Sequence, residues 1–413
     1  MLAKQLVCAL EDDWRAILDG VARARRWPAS DDVEKLGAEV AKLSRAYNES
    51  QPGARPAPGD AGELAARLGF SFARDVPKGA GAVRELVATG ALAMPEGRDL
   101  RVLDVGAGLG ATTWGVARAL EAAGGRGAID ATWIDADVKA LGVAMSIVDA
   151  RAGKGAVAVR ARAVPKGLAR GVADVDATYD LVLLGQVLSE LHVGEEDAAR
   201  VEKHAALVRD LVDRVLEPTG TLVIVEPALR NRTRHLHRVR DALLAAPNPP
   251  TVFAPCLHAA ACPALVNEGD WCHEDLAVDL PAWLVPVARA AGLRFQGLTF
   301  SYLALRRDGR TLAAAIDAGR GARLRVVSDP LASKGKHELF LCGELGSGDG
   351  ALVPGRARAM RLDRNRAPGN EVWEELVRGD VIAIAPPPDN TRARIEKDAL
   401  VARLTEPSFA SNG

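Results

Sequence analysis

A short apolar run that ends in a glycine-rich turn and continues as a helix constrains this chain more than any other feature. The run is Arg101-Val-Leu-Asp-Val and the turn is Gly106-Ala-Gly-Leu-Gly110. Gly106 and Gly108 remove the side chains that would hold a ligand away from the turn. Backbone N–H groups at the start of the following helix can then face a polar or anionic ligand. The same grammar continues downstream, where apolar runs at 101–105, 131–135, 156–160, 181–185 and 221–226 alternate with longer helical stretches. Most are apolar on both parities, as strands covered on both faces should be, and the alternation predicts a parallel βαβ sheet. Two further runs, 295–299 and 302–306, would complete it.

A dinucleotide site would use the same turn, so neighbouring residues must discriminate. No third glycine stands at the dinucleotide spacing, and an acid, Asp104, stands two residues before Gly106. Asp104 in that place resembles class I S-adenosylmethionine-dependent methyltransferases, in which the acid helps bind the methionine portion. The second strand ends Trp133-Ile-Asp135-Ala-Asp137. An acid at a strand end can accept from both ribose hydroxyls. Capping the next helix is the alternative role for Asp135, with Asp137 as a rival cap. The fourth strand ends at Gly185-Gln186, over the crevice where α/β folds bind. The candidate cofactor residues are therefore Asp104, Gly106, Ala107, Gly108, Gly110, Asp135, Ala136, Gly185 and Gln186. No string announces a catalytic base or nucleophile, and Glu190 reads as a structural or helix residue. Methyl transfer depends mainly on proximity and alignment, so few residues need stand out.

The chain of 413 residues suits two or three domains. Residues 1–78 read as a helical region, interrupted by the Pro- and Gly-dense stretch SQPGARPAPGDAG. Helical stretches are expected at 63–69 and 81–92. Residues 79–308 form the nucleotide-binding domain, with an atypical insertion at 247–283. Residues 309–390 hold apolar runs at 324–327, 338–342, 357–362 and 380–384, which suggest a small antiparallel β domain. Residues 391–413 read as a poorly packed tail. A net charge of −1 argues against a protein that coats nucleic acid over its whole surface. Two local basic stretches, Arg230 to Arg240 and Arg356 to Arg366, are candidates for phosphate contacts or for ordinary solvated faces. Neither a secretory signal nor a membrane span is evident, so the expectation is a soluble, cytoplasmic monomer.

Five cysteines occur, and three crowd into the insertion: Cys256, Cys262 and Cys272, separated by five and then nine residues. Thiolates favour zinc or iron–sulfur centres, which four ligands close. Cys342 is the candidate fourth ligand, and His258 or His273 could replace it at zinc. The segment is polar and loop-like, a poor place for cysteines that merely pack. Cys8, alone on an expected helical face, reads as core.

Several strings together resemble the methyltransferase-like proteins of the mitochondrial small ribosomal subunit and their bacterial relatives. They are Leu103-Asp-Val-Gly-Ala-Gly-Leu-Gly, Gly185-Gln-Val-Leu-Ser-Glu-Leu, and Pro255-Cys-Leu-His with Cys262-Pro and Asp270-Trp-Cys-His. Arg67-Leu-Gly-Phe, Ser301-Tyr-Leu-Ala-Leu-Arg-Arg and Gly335-Lys-His-Glu-Leu-Phe-Leu-Cys342 extend the similarity to most of the chain. The resemblance implies a small-subunit assembly factor that contacts ribosomal RNA and serves translation. It also implies a 4Fe–4S cluster on Cys256, Cys262, Cys272 and Cys342. Leu257 and Ala259 depart from the family pattern without removing a thiol. Three readings follow. One is an S-adenosylmethionine-binding assembly factor with the cluster. The second is an active RNA or small-molecule methyltransferase with structural zinc. The third is an iron or redox sensor whose cluster controls RNA binding.

Overall fold

The computed structural model describes residues 6–48, 59–168, 177–295, 297–317, 319, 321–347, 349–389 and 391–405. Most of the expected linker before Glu63 lies outside these residues. The central sheet is built from β1 (Leu100–Val105), β2 (Gly127–Asp135), β3 (Val157–Pro165), β4 (Tyr179–Gly185), β5 (Leu216–Glu226), β6 (Thr251–Ala254), β7 (Glu274–Leu276) and β8 (Leu298–Arg306). Its order is β3-β2-β1-β4-β5-β8-β6, with β7 pairing β8 off this path. Pairs among β1 to β5 are parallel, whereas β8 runs antiparallel to both β5 and β6. A doubly wound sheet with one reversed strand wedged before the last is the class I methyltransferase fold.

Alternation along the strands divides the interior into two cores. Leu100 and Val102, Leu181 and Leu183, and Val223 and Val225 face one core; Leu103 and Val105, Val182 and Leu184, and Leu222 and Ile224 face the other. The first core is covered by α1 (Asp12–Ala24), α2 (Val33–Asn48), α3 (Ala61–Ala66), α4 (Phe72–Ala88), α5 (Ala111–Ala122) and α6 (Val138–Arg151). The second is covered by α7 (Asp197–Arg214) and α8 (Arg230–Leu244).

In the first domain and its cover, three sequence expectations change. The break anticipated between 69 and 81 is absent: α3 passes through a π-helical turn, Arg67–Ser71, directly into α4. Pro77 is the sixth residue of α4 and forfeits one N–H there, but the helix is buried on nearly every side, and packing outweighs the propensity. A boundary at 78 would thus cut a continuous helix. The two expected strands at 295–299 and 302–306 are one strand, β8. Cys8 precedes α1 in extended chain and is half-buried beside the Arg118 guanidinium, at 2.9 Å.

The second sheet is formed by β9 (Ala322–Val326), β10 (Leu331–Ser333), β11 (Lys336–Gly346), β12 (Leu352–Leu362), β13 (Val381–Ala385), β14 (Arg394–Ile395) and β15 (Leu400–Arg403). It has its own core, including Leu324, Leu339, Leu341, Trp373 and Ile382. The expected tail contributes β14 and β15, because Ile395 and Val401 alternate inward and close that core. No helix among the described residues is long and apolar enough to cross a membrane.

Helix α4 meets α5 at glycines. A Cβ on Gly115 would stand 2.7 Å from the Ala80 nitrogen and 2.8 Å from Gly79 Cα, both backbone atoms that cannot yield. Gly115→Ala should lower stability by about 1–3 kcal/mol. Gly142→Ala, with nothing within 4 Å, should leave it level or raise it by up to about 1 kcal/mol. Thermal denaturation of both variants checks the contrast.

Candidate functional site

A cavity of about 950 Å³ opens at the carboxyl ends of β1, β2 and β4, where open α/β sheets bind ligands. Of the residues expected from sequence, Gly106, Ala107, Gly108, Asp135, Ala136, Gly185 and Gln186 line it. Gly106 and Gly108 adopt φ of +71° and +54°, a region side chains disfavour. A Cβ at Gly106 would press on Val187 at 2.6 Å, so the turn has no room for one. Gln186 also takes positive φ, at 62°, without being glycine, and its backbone N–H donates to the Val225 carbonyl at 2.7 Å. Such a conformation is held only by its surroundings and clusters at functional sites.

The turn spends its own donors inward. Gly106 N and Ala107 N both donate to the Ile134 carbonyl, at 2.7 and 3.1 Å. Gly108 N donates to Asp135 Oδ2 at 2.8 Å, and Asp137 N to Asp135 Oδ1 at 2.8 Å. Asp135 thus braces the turn while facing the cavity, and each of its oxygens retains a lone pair. Asp137 caps α6, accepting from Lys139 N and Ala140 N, so the capping role belongs to it and not to Asp135.

Two expected residues lie off the wall. Gly110, φ +79°, precedes α5 with its α-carbon against the Trp133 ring. Asp104 is 1% exposed, accepts from the Thr113 hydroxyl at 2.7 Å, and leaves Oδ1 buried without a partner. Burial pushes its carboxyl up to about 7, against the Thr113 bond that favours the anion.

Sequence reading missed the opposite wall. Arg67, Arg74, Asp75 and Lys78 come from the π turn and α4, and Tyr47 from α2. Lys78 Nζ is 2.8 Å from Asp75 Oδ1, and both side chains are largely buried. Their i,i+3 spacing was legible but ordinary. Trp271, His273 and Phe295 also line the cavity, as does Glu190, which stands in a turn and not in a helix.

Trp271 and His273 flank Cys272, whose thiol belongs to a different group. Burial and then the neighbouring thiols raise Cys262 to about 11 and Cys272 to about 12, and raise Cys342 well above its ordinary value. Cys342 feels Cys256, Cys272 and Cys262; Cys272 feels Cys256 and Cys262; Cys262 feels Cys256. The structure therefore gathers all four cysteines from two domains, and leaves Cys8 apart. His258 Nε2 lies 3.6 Å from Cys342 Sγ, whereas His273 belongs to the cavity wall. Among the described residues, no three His, Cys, Asp or Glu side chains are arranged to hold a single metal ion.

The basic stretches are mixed in exposure: Arg234, Arg240 and Arg361 are buried, whereas Arg230, Arg238, Arg358, Arg364 and Arg366 are exposed. Arg234 donates to the carbonyls of Ala264, Leu265, Asn267 and Asp270, and Arg240 to those of His258 and Ala260. Among the described residues, most of these loop carbonyls lack a backbone partner, and guanidinium donors satisfy them. In the second stretch Arg356 pairs with Asp270, Arg358 with Glu338, and Arg361 and Arg366 with Glu374.

The sequence profile of the family described as mitochondrial small ribosomal subunit Rsm22 matches residues 71–356. The chain belongs to that family. No curated protein matches it. Among solved structures, this Rsm22-family chain is similar to the plantazolicin methyltransferase BpumL in complex with SAH. Identity there is 10% over 67% of this chain and 98% of that one, with a TM-score of 0.34. It is also similar to a protein from Listeria monocytogenes described among class I S-adenosylmethionine-dependent methyltransferases, with 13% identity, 71% and 86% coverage, and a TM-score of 0.35. An Agrobacterium tumefaciens SAM-dependent methyltransferase gives 16% identity, 56% and 62% coverage, and a TM-score of 0.31.

Asp104 supplies a pH test. Between its ordinary value of 3.8 and about 7, the folded chain keeps a proton the unfolded chain has shed. Stability therefore falls as pH rises through that window, and the loss is complete above it. Asp104→Asn should be more stable than the parent by about 1–3 kcal/mol at pH 8 and level with it at pH 4. Thermal denaturation at both pH values decides; an equal gain at each would contradict the assignment.

Proposed function

We propose that this chain binds S-adenosylmethionine in the cavity and acts, as a monomer in the cytoplasm, as a methyltransferase-like factor on the small ribosomal subunit and its RNA. The observation that carries the cofactor reading is the wall itself: a turn too tight for side chains, with Asp135 facing the same space. Asp135 would accept from the ribose hydroxyls, and Gly106 to Gly108 would let the nucleoside lie against the turn. Gly185 and Gln186 would close the methyl end. The family supports the ribosomal partner.

We propose further that Cys256, Cys262, Cys272 and Cys342 hold a 4Fe–4S cluster. The donor set fits. Four thiols, one on buried Cys262 and three on partly buried residues, influence one another, and Arg240 Nε, Arg356 Nε and His258 Nδ1 are buried donors without a partner. Arg240 and Arg356 bear electrostatically on these cysteines. They could serve the sulfurs of a cluster and offset the charge of four thiolates. Bound there, the cluster would cross-link the insertion to the second sheet, and its assembly would release the thiol protons.

Calorimetry with S-adenosylhomocysteine tests the first reading. The full chain should bind it, and Gly106→Val should weaken binding at least about tenfold; unchanged affinity would remove the turn from the site. Protein purified without oxygen should be brown, with iron and sulfide in equal amounts, and Cys342→Ser should lose both. Colourless protein carrying one zinc would overturn the cluster. Co-sedimentation of the tagged chain with the small-subunit peak tests the partner.

A further inference from the structure

Any ligand with an amino-acid end brings a carboxylate into this cavity, and the turn has few donors left for it. Gly106, Ala107 and Gly108 have already given theirs to Ile134 and Asp135. A cation on the wall must therefore meet the anion. The candidates are Arg67, Arg74, Lys78, Arg232 and Arg294. Lys78 is committed to Asp75 at 2.8 Å, and Arg74 lies 3.6 Å from the same carboxylate. Arg232 donates to the Tyr47 carbonyl at 3.2 Å, and Arg294 is exposed at the rim.

Like Arg74, Arg67 lies 3.6 Å from a carboxylate, but Arg67 is the one whose guanidinium lies against the glycine turn. It opens the π-helical turn, a geometry often found at functional sites. Its Nη2 lies 2.6 Å from where a Cβ on Gly108 would stand, so the guanidinium rests directly on the glycine turn. Its nearest carboxylate, Glu63, is 3.6 Å away, beyond hydrogen-bond distance, and among the described residues it makes no hydrogen bond. Burial works against its charge, and the nearby carboxylates of Glu63, Glu190 and Asp135 help to hold it. A guanidinium offers a planar fork that matches a carboxylate in two parallel bonds. Arg67 also precedes residue 71, where the family match begins.

We infer that Arg67 is the anion anchor of the cavity and takes the carboxylate at the amino-acid end of the nucleoside cofactor. The inference rests on the S-adenosylmethionine reading of the cavity. It makes α3 and the π turn part of the cofactor site and not merely cover for the sheet. It also gives Gly108 a second duty, because any side chain there would displace the anchor.

The test compares two ligands on the full chain by calorimetry. S-adenosylhomocysteine carries the amino-acid end, and 5′-methylthioadenosine keeps only adenine, ribose and the thioether. Arg67→Ala and Arg67→Met should each weaken S-adenosylhomocysteine by about 10- to 100-fold, with 5′-methylthioadenosine unchanged within about twofold. Arg67→Lys should recover part of the loss, since an ammonium makes no bidentate pair. Retained binding of the truncated ligand shows that the variants fold. Equal loss of both ligands, tighter binding of either, or a loss that follows Arg74→Ala in place of Arg67→Ala would overturn the anchor. Failure of the parent chain to bind either ligand would overturn the cofactor reading, and the anchor with it.

Discussion

The two domains are held together by ion pairs and hydrogen bonds that have almost no contact with water. Arg325 of β9 reaches Glu85 of α4 at 2.6 Å and Glu274 of β7 at 3.5 Å. Arg84 meets Glu274 at 3.1 Å, and the Tyr302 hydroxyl donates to Glu85 at 2.6 Å. Every member is at most 8% exposed in its side chain or as a residue. Charges so buried are tolerable only together, and removing one partner strands another at a cost of about 3–5 kcal/mol. The network therefore fixes how the second sheet docks on the methyltransferase fold. It fixes the cysteines too. Arg325 Nε donates to the Pro255 carbonyl at 2.7 Å, beside Cys256, and Arg325 is the cross-strand partner of Cys342. One guanidinium thus registers a thiol of the insertion against a thiol of the other domain.

Helix α8 does the same for the remaining cysteines. Arg234 gathers the carbonyls of the 264–270 loop, His237 Nε2 lies 3.2 Å from the Cys272 carbonyl, and Asp241 accepts from Cys262 N at 2.9 Å. The buried arginines of that basic string form an internal scaffold, because irregular backbone leaves carbonyls that need donors, while Arg230 and Arg238 stay exposed. Within that scaffold Cys272 joins the thiols while Trp271 and His273 line the cavity. The thiol group and the ligand cavity therefore share a wall one residue thick, and neither can shift without moving that segment.

The sheet was legible because its signal is local: apolar runs of strand length, each bounded by turn residues. The parallel strands and the glycine turn stand where the pattern puts them. The reversed strand β8 was legible as two runs rather than one, and its short partners β6 and β7 were poorly legible, since four- and three-residue strands carry no period of their own. The run from α3 to α4 failed for another reason. Gly69, Pro77, Gly79 and Gly81 all speak against helix locally. Yet Gly79 and Gly115 are what let two helices approach closely enough to bury the chain there. Arginine roles were not legible at all, because one side chain serves equally to meet phosphate, carboxylate or carbonyl, and only burial distinguishes them.

The glycine turn shows how far a motif can mislead about its own chemistry. Its spacing suggests a nest of N–H groups facing a ligand, but three of those donors are turned to β2 and to Asp135. What the glycines supply is room. Val187, Arg67 and Trp133 occupy the three places where side chains at Gly106, Gly108 and Gly110 would stand. The turn is thus a floor pressed between a strand end and side chains from elsewhere in the fold. Affinity and selectivity must then come from those side chains, and the most exposed to ligand of the three is the one that carries a charge.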